Sequence, residues 1–319
     1  MPVLLRRYHC LPPGLDTERK ASGRPFHRDR FSVYALRVTL SVVLITYNEE
    51  SNLPRTLESV MPLVRDEQGE IVVVDSGSTD KTVQIAESHG AKVFVEPWKG
   101  FAAQKNSAIE KATGDWILSL DADEELSSTA KHAILRILGQ DADRYRTLAG
   151  VWFNRRNYFL GRWIKHGGFY PDKKLRLFRR GMGHFQNRAV HETVCVDAET
   201  ERSPQMDFGM GEEIALIHHS YPTLSDYIDH MNRYSSLGAE MIAAERQAKF
   251  TVVNIVVRPL ATFLYNYFFR LGFLDGREGL LLHLYHSVYV SWKYAKAWEL
   301  VGRKLSPRRP ENASGNDKT

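Results

Sequence analysis

Asp115-Trp116-Ile117-Leu118-Ser119-Leu120-Asp121-Ala122-Asp123-Glu124-Glu125 reads as a buried strand, residues 116–120, that runs out into carboxylates at its carboxyl end. Open α/β sheets bind ligands beyond the carboxyl ends of their strands. Alternate residues such as Asp121 and Asp123 can converge there on one cation. Oxygen donors of this kind suit Mg²⁺ or Mn²⁺, with water and substrate phosphate completing the coordination. The ordinary alternative is a helix start, with Asp-Ala-Asp capping a run from Leu126 onward. A lone Asp-X-Asp does not separate the two readings, so the decision falls to its context.

Upstream, Val38-Thr39-Leu40-Ser41-Val42-Val43-Leu44-Ile45-Thr46 is a β-branched apolar run of the sort covered on both faces. It leads through Tyr47-Asn48-Glu49-Glu50 into a helical pattern with Leu53, Leu57, Val60 and Met61. Residues 71–74 form a second buried strand, ending in Asp75-Ser76-Gly77-Ser78-Thr79-Asp80. A helix from Lys81, a short strand at 92–95 and a helix over about 102–112 bring the chain to the acidic strand. This alternation predicts a mostly parallel sheet with helices on both faces. Residues 46–49, 75–80 and 121–123 are then expected at one rim. The first strand has no Gly-x-Gly-x-x-Gly turn and the chain has no Gly-Lys-Ser/Thr loop, which argues against a dinucleotide oxidoreductase and an ATPase.

The chain has 319 residues, enough for one elaborated domain or two, and 25% of them are charged. Its net charge of +5 admits an anionic partner without choosing one. Two cysteines, Cys10 and Cys195, make no disulfide framework or metal knuckle, so a reducing cytoplasmic setting is expected. Residues 1–38 read as a basic, loosely ordered lead-in whose apolar piece, residues 3–5, is too short for a signal-peptide core.

In order, Leu44-Ile45-Thr46-Tyr47-Asn48-Glu49-Glu50, Val72-Val73-Val74-Asp75-Ser76-Gly77-Ser78-Thr79-Asp80 and Gly114 through Asp123 resemble glycosyltransferase family 2, which has the GT-A fold. The segments Gly167-Gly168-Phe169-Tyr170-Pro171-Asp172, Leu175-Arg176-Leu177-Phe178, Val190-His191-Glu192 and Gly272-Phe273-Leu274-Asp275-Gly276 resemble its branch of lipopolysaccharide-core β-1,4-glucosyltransferases. The resemblance implies that Asp75 binds the uracil or its ribose, with Thr46, Tyr47 and Glu49 lining the nucleoside pocket. Asp121 and Asp123 would hold Mg²⁺ or Mn²⁺ against the donor diphosphate, Asp123 as the direct ligand. Inverting transfer needs a base for the attacking hydroxyl. Asp172 and Glu192 are candidates, and Glu192 is preferred; the ordinary alternative is a surface Glu192 paired with Arg188. Lys105 stands where much of the family has Arg, supplying charge to a phosphate without a bidentate fork. Arg176, Arg179 and Arg180 are read as a clamp for an anionic acceptor or the diphosphate, or as a solvated basic edge. His191 is read as orienting Glu192 or approaching the metal, or, as for a lone histidine in general, as structural, and His218 and His219 are read in the same way.

The resemblance further implies a UDP-sugar donor, UDP-glucose by expectation, a lipid-linked saccharide acceptor such as lipopolysaccharide inner core, a membrane surface, and no nucleic acid. Residues 39–220 would be the catalytic domain, with a donor half over about 39–125 and an acceptor half over about 150–220. Residues 221–305 read as helical, with apolar positions Val252, Val253, Val256, Val257, Leu260, Leu264 and Phe268 at helical spacing near Arg258, Arg270 and Arg277. They are expected either to lie peripherally in the inner face of the cell membrane or to pack as core helices. Residues 306–319 read as a disordered tail. Two rivals stay open on the sequence: a polyprenyl-phosphate sugar synthase, which needs no strong base, and a catalytically silent nucleotide-sugar-binding scaffold on the same fold.

Overall fold

The structure, a computed structural model, describes residues 38–65, 69–139, 144–145, 147–186, 194–196, 205–208, 213–244 and 250–305. Four strands, β1 (Leu40–Thr46), β2 (Gly69–Asp75), β3 (Lys92–Val95) and β4 (Trp116–Ser119), lie parallel in the order β3-β2-β1-β4. Their unbroken apolar runs follow from burial on both faces. Leu40, Val42 and Leu44 of β1, with Val73 of β2 and Leu118 of β4, face one core. Helix α1 (Leu53–Val64) and helix α4 (Ser128–Leu138) cover that core with Leu57, Val60 and Ile134. Val43, Val72, Val74 and Ile117 face a second core beneath helix α3 (Phe101–Glu110). With period-two alternation and both faces covered, every residue of such a strand has to be apolar or small. Helix α2 (Thr82–Ser88) completes the βαβ crossovers.

Register decides what meets at the rim. Leu40 pairs with Gly69 and Thr46 with Asp75, while Val43 pairs with Ser119, so the strands end together at their carboxyl ends. Gly114 permits the close start of β4, because a Cβ there would lie 2.6 Å from the Ser41 amide nitrogen. After β4 the sheet stops being parallel. Strand β8 (Asp172–Arg179) runs antiparallel to β4, and the order continues through β6 (Gly150–Phe159), β12 (Ala215–Tyr221) and β5 (Glu124–Leu126). Strands β7 (Arg162–Trp163) and β11 (Gln205–Asp207) attach to β6, and β9 (Gly183–Phe185) pairs with β10 (Val194–Val196) as a separate ribbon. The sheet is therefore mixed, parallel in its donor half.

Asp-Ala-Asp does not cap a helix from Leu126. Residues 124–126 form β5, and α4 is capped by Ser127, whose Oγ accepts from the Ala130 amide at 3.1 Å. The acidic run is left for the rim.

The chain forms two compact units. One takes the residues through Arg155 together with Lys173–Ile217; the other takes Arg156–Asp172 with the residues from His218 on. The segment 156–172 thus belongs to the same compact unit as the helical region. In this second unit, helix α5 (Leu224–Ala244) packs on helix α7 (Gly276–Leu305), and Phe159, Ile164, Tyr227 and Leu282 form its core. The Gly-Phe-Leu-Asp-Gly motif gains a role here. Asp275, buried, accepts from the Lys165 amide at 3.2 Å and the His166 amide at 2.8 Å, tying the β7 loop to the turn before α7. Among the described residues, no helix is long and apolar enough to cross a membrane.

Candidate active site

Two loops zip together at the ends of β1 and β2. The Asn48 amide donates to Ser78 Oγ at 2.8 Å, and Asn48 Oδ1 accepts from the Thr79 amide at 2.8 Å. The Glu49 amide donates to Thr82 Oγ1 at 2.7 Å, and the Glu50 amide to Asp80 at 3.1 Å. Asp80 also accepts from the Thr82 amide at 2.9 Å, so it caps the start of α2. Tyr47, at the apex of the first loop, is 59% exposed. Its ring is presented to solvent while its neighbours are tied down.

Asp75 organises this pair of loops. It is fully buried, and its Oδ1 accepts from the amides of Gly77 at 2.9 Å and Ser78 at 2.7 Å. Its Oδ2 accepts from Thr46 Oγ1 at 2.7 Å and Ser78 Oγ at 2.5 Å. An ionised carboxylate offers about four lone-pair positions, and all four have donors from the protein. Gly77, at φ 89°, supplies the left-handed residue that this turn demands. The family resemblance assigns the Asp75 carboxylate to the nucleoside; in this structure the same carboxylate also organises the loop.

The acidic strand end is built differently. The carbonyl of Ala122, the middle residue of Asp-Ala-Asp, accepts from Thr56 Oγ1 at 2.6 Å, which pins the turn to α1. Asp121 is half-buried between two cations, Lys105 Nζ at 2.7 Å and Arg176 Nη2 at 2.5 Å. Arg176 also donates to the buried Glu124 at 2.7 Å, and Glu124 accepts from Arg155 at 3.2 Å and from the Asp121 amide at 3.1 Å. Burial alone would raise the Asp121 carboxyl pKa, but Arg176 and Lys105 outweigh it and hold the carboxyl well below its usual range. For Arg176, burial would lower the pKa, and Asp121 and Glu124 more than reverse it. The result is a chain of alternating charge, Lys105, Asp121, Arg176, Glu124, Arg155, drawn from α3, the β4 end, β8, β5 and β6.

Glu49 feels the opposite field. Burial raises its carboxyl pKa, and Asp123, Asp80 and Asp121 raise it further against the hydrogen bond from Asn52. Negative charge therefore accumulates between Glu49 and the Asp-X-Asp turn, which is the condition for attracting a cation. No group of three or more carboxylate, His or Cys ligands preformed for a metal exists among the described residues. Mg²⁺ and Mn²⁺ take one or two protein carboxylates and draw the rest from substrate phosphate and water. Both Asp121 oxygens are engaged, Oδ1 by Lys105 and Oδ2 by Arg176.

The structure thus brings Thr46, Tyr47, Glu49, Asp75, Asp121, Asp123 and Lys105 to the carboxyl ends of β1, β2 and β4 and the adjoining α3. Glu192 and His191 lie outside the described residues. Arg179 is half-buried against the protein, whereas Arg180 is exposed and only partly tied down. Arg179 Nε donates to the Leu148 carbonyl at 2.9 Å and its guanidinium stacks over Trp116, while Arg180 Nε donates to the Gly114 carbonyl at 2.8 Å. His218 bonds Asn157 at 2.7 Å, and His219 stacks on Tyr158. Sequence reasoning missed Glu124 and Arg155. The only available signal was the extra acid after Asp123, whose partners lie 52 and 31 residues away.

A parallel βαβ half with an acidic rim, continued by a mixed half, is a GT-A fold of the kind that glycosyltransferases use. The glycosyl transferase family 2 model matches residues 41–195. An uncharacterized glycosyltransferase of Rickettsia bellii is 30% identical over 82% of this chain and 86% of its own length. The chain belongs to glycosyltransferase family 2. The lipopolysaccharide core biosynthesis glycosyltransferase LpsC of Rhizobium meliloti is 27% identical over 85% of this chain and 96% of its own. Among solved structures, a mannosyltransferase of Pyrobaculum calidifontis in complex with GDP-Man and Mn²⁺ is 17% identical, with a TM-score of 0.47, over 83% of this chain and 88% of that one.

Proposed function

We propose that this glycosyltransferase moves a sugar, glucose by expectation, from a UDP-sugar to a lipid-linked saccharide such as a lipopolysaccharide inner core, with inversion, at the cytoplasmic face of a membrane. The observation that carries the reading is the accumulation of carboxylates, Glu49, Asp121 and Asp123, at one strand-end rim flanked by Lys105. The relative named for lipopolysaccharide core biosynthesis, matched over almost its full length, supports the acceptor class.

In this reading Tyr47 stacks on the base, and the loop folded by Asp75 presents the backbone of residues 76–78 to the nucleoside. Asp123 holds the divalent ion, which when bound neutralises charge on the departing diphosphate. Asp121 stays paired with Arg176 and Lys105 and fixes the orientation of the turn. Lys105, buried among Asp121 and the Phe185 ring, supplies a positive charge at the diphosphate side. Glu192 takes the proton of the acceptor hydroxyl.

The test is transfer, followed by mass spectrometry, from a panel of UDP-sugars to a lipid-linked inner-core saccharide, using the parent and Glu192→Gln. One donor should be used, and the substitution should cost about 10²–10⁴ in rate while donor binding is kept. Full activity of Glu192→Gln with a polyprenyl phosphate as acceptor would replace the saccharide reading by that of a phosphate acceptor.

A further inference from the structure

Within the second unit, the chain from Val252 to Phe269 is helical throughout. The short helix α6 (Arg258–Leu264) is flanked by wider π turns, Val253–Val257 and Tyr265–Phe269. Along this stretch the less exposed positions are Asn254, Ile255, Pro259, Thr262, Phe263, Asn266 and Tyr267, partly or fully buried, and Ser291 of α7 donates to the Ile255 carbonyl at 3.0 Å. The outer side carries Val252, Val253, Val256, Val257, Leu260, Leu264, Tyr265, Phe268 and Phe269, all exposed, with Val252 at 70% and Phe269 at 78%. A helix that lives in water turns its polar side outward. This one leaves a broad apolar stripe exposed while its asparagines are partly buried.

The π turns explain how so broad a stripe fits one face. Each widens the helix locally, so that adjacent pairs, Val252–Val253, Val256–Val257 and Phe268–Phe269, point outward together. Beyond the helix the apolar surface continues through the exposed Leu271, Phe273 and Leu274. A continuous patch of this kind marks an interaction surface.

Charge selects the occupant. From Phe250 to Leu274 the sequence contains no Asp or Glu, yet it contains Arg258 and Arg270. Both are exposed, and they lie over tyrosine rings, Arg258 over Tyr294 and Arg270 over Tyr265. A second copy of the chain would bring this patch against itself across a two-fold axis, setting arginine towards arginine with no carboxylate to answer. An anionic lipid surface meets both needs, since acyl chains take the apolar stripe and headgroup phosphates take the arginines. At 1.5 Å per residue the helical stretch is about 27 Å long.

We infer that the outer face of residues 252–274 is the chain's membrane-docking surface, a helix lying in the interface of an anionic bilayer with Val256, Leu260, Phe268 and Phe269 in the acyl region and Arg258 and Arg270 at the phosphates. This rests on the membrane-linked acceptor proposed above and locates where that membrane is met.

The experiment is co-sedimentation of the full chain with vesicles of phosphatidylcholine alone or mixed with phosphatidylglycerol. The parent is compared with Phe268→Gln/Phe269→Gln, both surface positions, and with Arg258→Gln/Arg270→Gln. Unchanged melting curves show that the variants are folded. The parent should bind the phosphatidylglycerol vesicles more tightly than the neutral ones. The aromatic pair should weaken binding to both vesicle types by about ten-fold or more, and the arginine pair only the preference for anionic lipid. Absence of vesicle binding by the parent, or equal binding by the aromatic variant, overturns the proposal. So does a concentration-dependent dimer that the aromatic variant abolishes, which would give the face to a second copy. Calorimetry with UDP-sugars in the absence of vesicles separates the two readings. Donor binding without vesicle binding removes this inference alone, and vesicle binding without donor binding removes the transferase assignment of the rim and leaves this surface standing.

Discussion

Replacing Arg176 with methionine keeps much of the side-chain stem and deletes the guanidinium at the middle of the charge chain. Arg176 is almost wholly buried and donates to Asp121 at 2.5 Å and Glu124 at 2.7 Å. Removing one partner of a buried pair costs about 3–5 kcal/mol, because an uncompensated charge is left inside. The remaining contacts reduce that figure here. Glu124 keeps Arg155 at 3.2 Å, and the partly solvated Asp121 keeps Lys105 at 2.7 Å. Nearly all of the loss then falls on Glu124, which has no exposed side-chain surface, and the expected cost is about 3 kcal/mol. Against a typical domain stability of about 5–15 kcal/mol, that is a large fraction. Urea unfolding of Arg176→Met, Glu124→Gln and the double variant measures it. Since neutralising Glu124 removes the stranded charge, the double variant should be less destabilised than the sum of the singles by about 1–2 kcal/mol. A single-variant cost below about 1 kcal/mol, or strict additivity, would refute the claim that this network is buried and coupled.

Glu49 gives a pH signature. Its carboxyl pKa is raised, so the folded chain holds that proton more tightly than the unfolded chain does. Stability should therefore fall as pH rises from the ordinary Glu value towards the raised one; Glu49→Gln should flatten this slope in stability measured across that range, and an unchanged slope would contradict the assignment. Asp275→Asn substitutes a donor for one of two acceptor oxygens that hold the Lys165 and His166 amides. It should lower stability by about 1–3 kcal/mol and accelerate amide exchange at residues 165–166; exchange at the parent rate would mean that the tie contributes nothing. Ser127→Ala removes the oxygen that caps α4 and that also accepts from the Ala215 amide at 3.2 Å. A loss of about 1 kcal/mol is expected in thermal unfolding, and none would show that water replaces the cap.

The parallel half of the fold was legible in the sequence because burial on both faces forces continuous β-branched runs, and β1, β2 and β4 lie where those runs are. The rim was legible for the same reason, since a buried strand admits polar residues only where it leaves the core. The alternating charge chain was not legible. Its members come from five elements, and an arginine at 176 carries no mark saying that its partners are at 121 and 124. Nor could the sequence show that Asp75 organises its own loop, because a carboxylate that folds a turn and one that faces a ligand look alike in a motif. In the C-terminal region the apolar spacing showed a helix, yet periodicity gives a stripe without saying which side faces out. Only the exposure of each residue in the folded chain decides that.

The central claim is that the carboxylate rim binds a nucleotide sugar through a divalent ion. Calorimetric titration of UDP-, GDP-, ADP- and CDP-sugars, with and without Mn²⁺, on the parent and on Asp123→Asn tests it most directly. The account predicts binding of a UDP-sugar that requires the metal and disappears in the variant. Failure of every nucleotide sugar to bind, or equal binding by Asp123→Asn without metal, would contradict it.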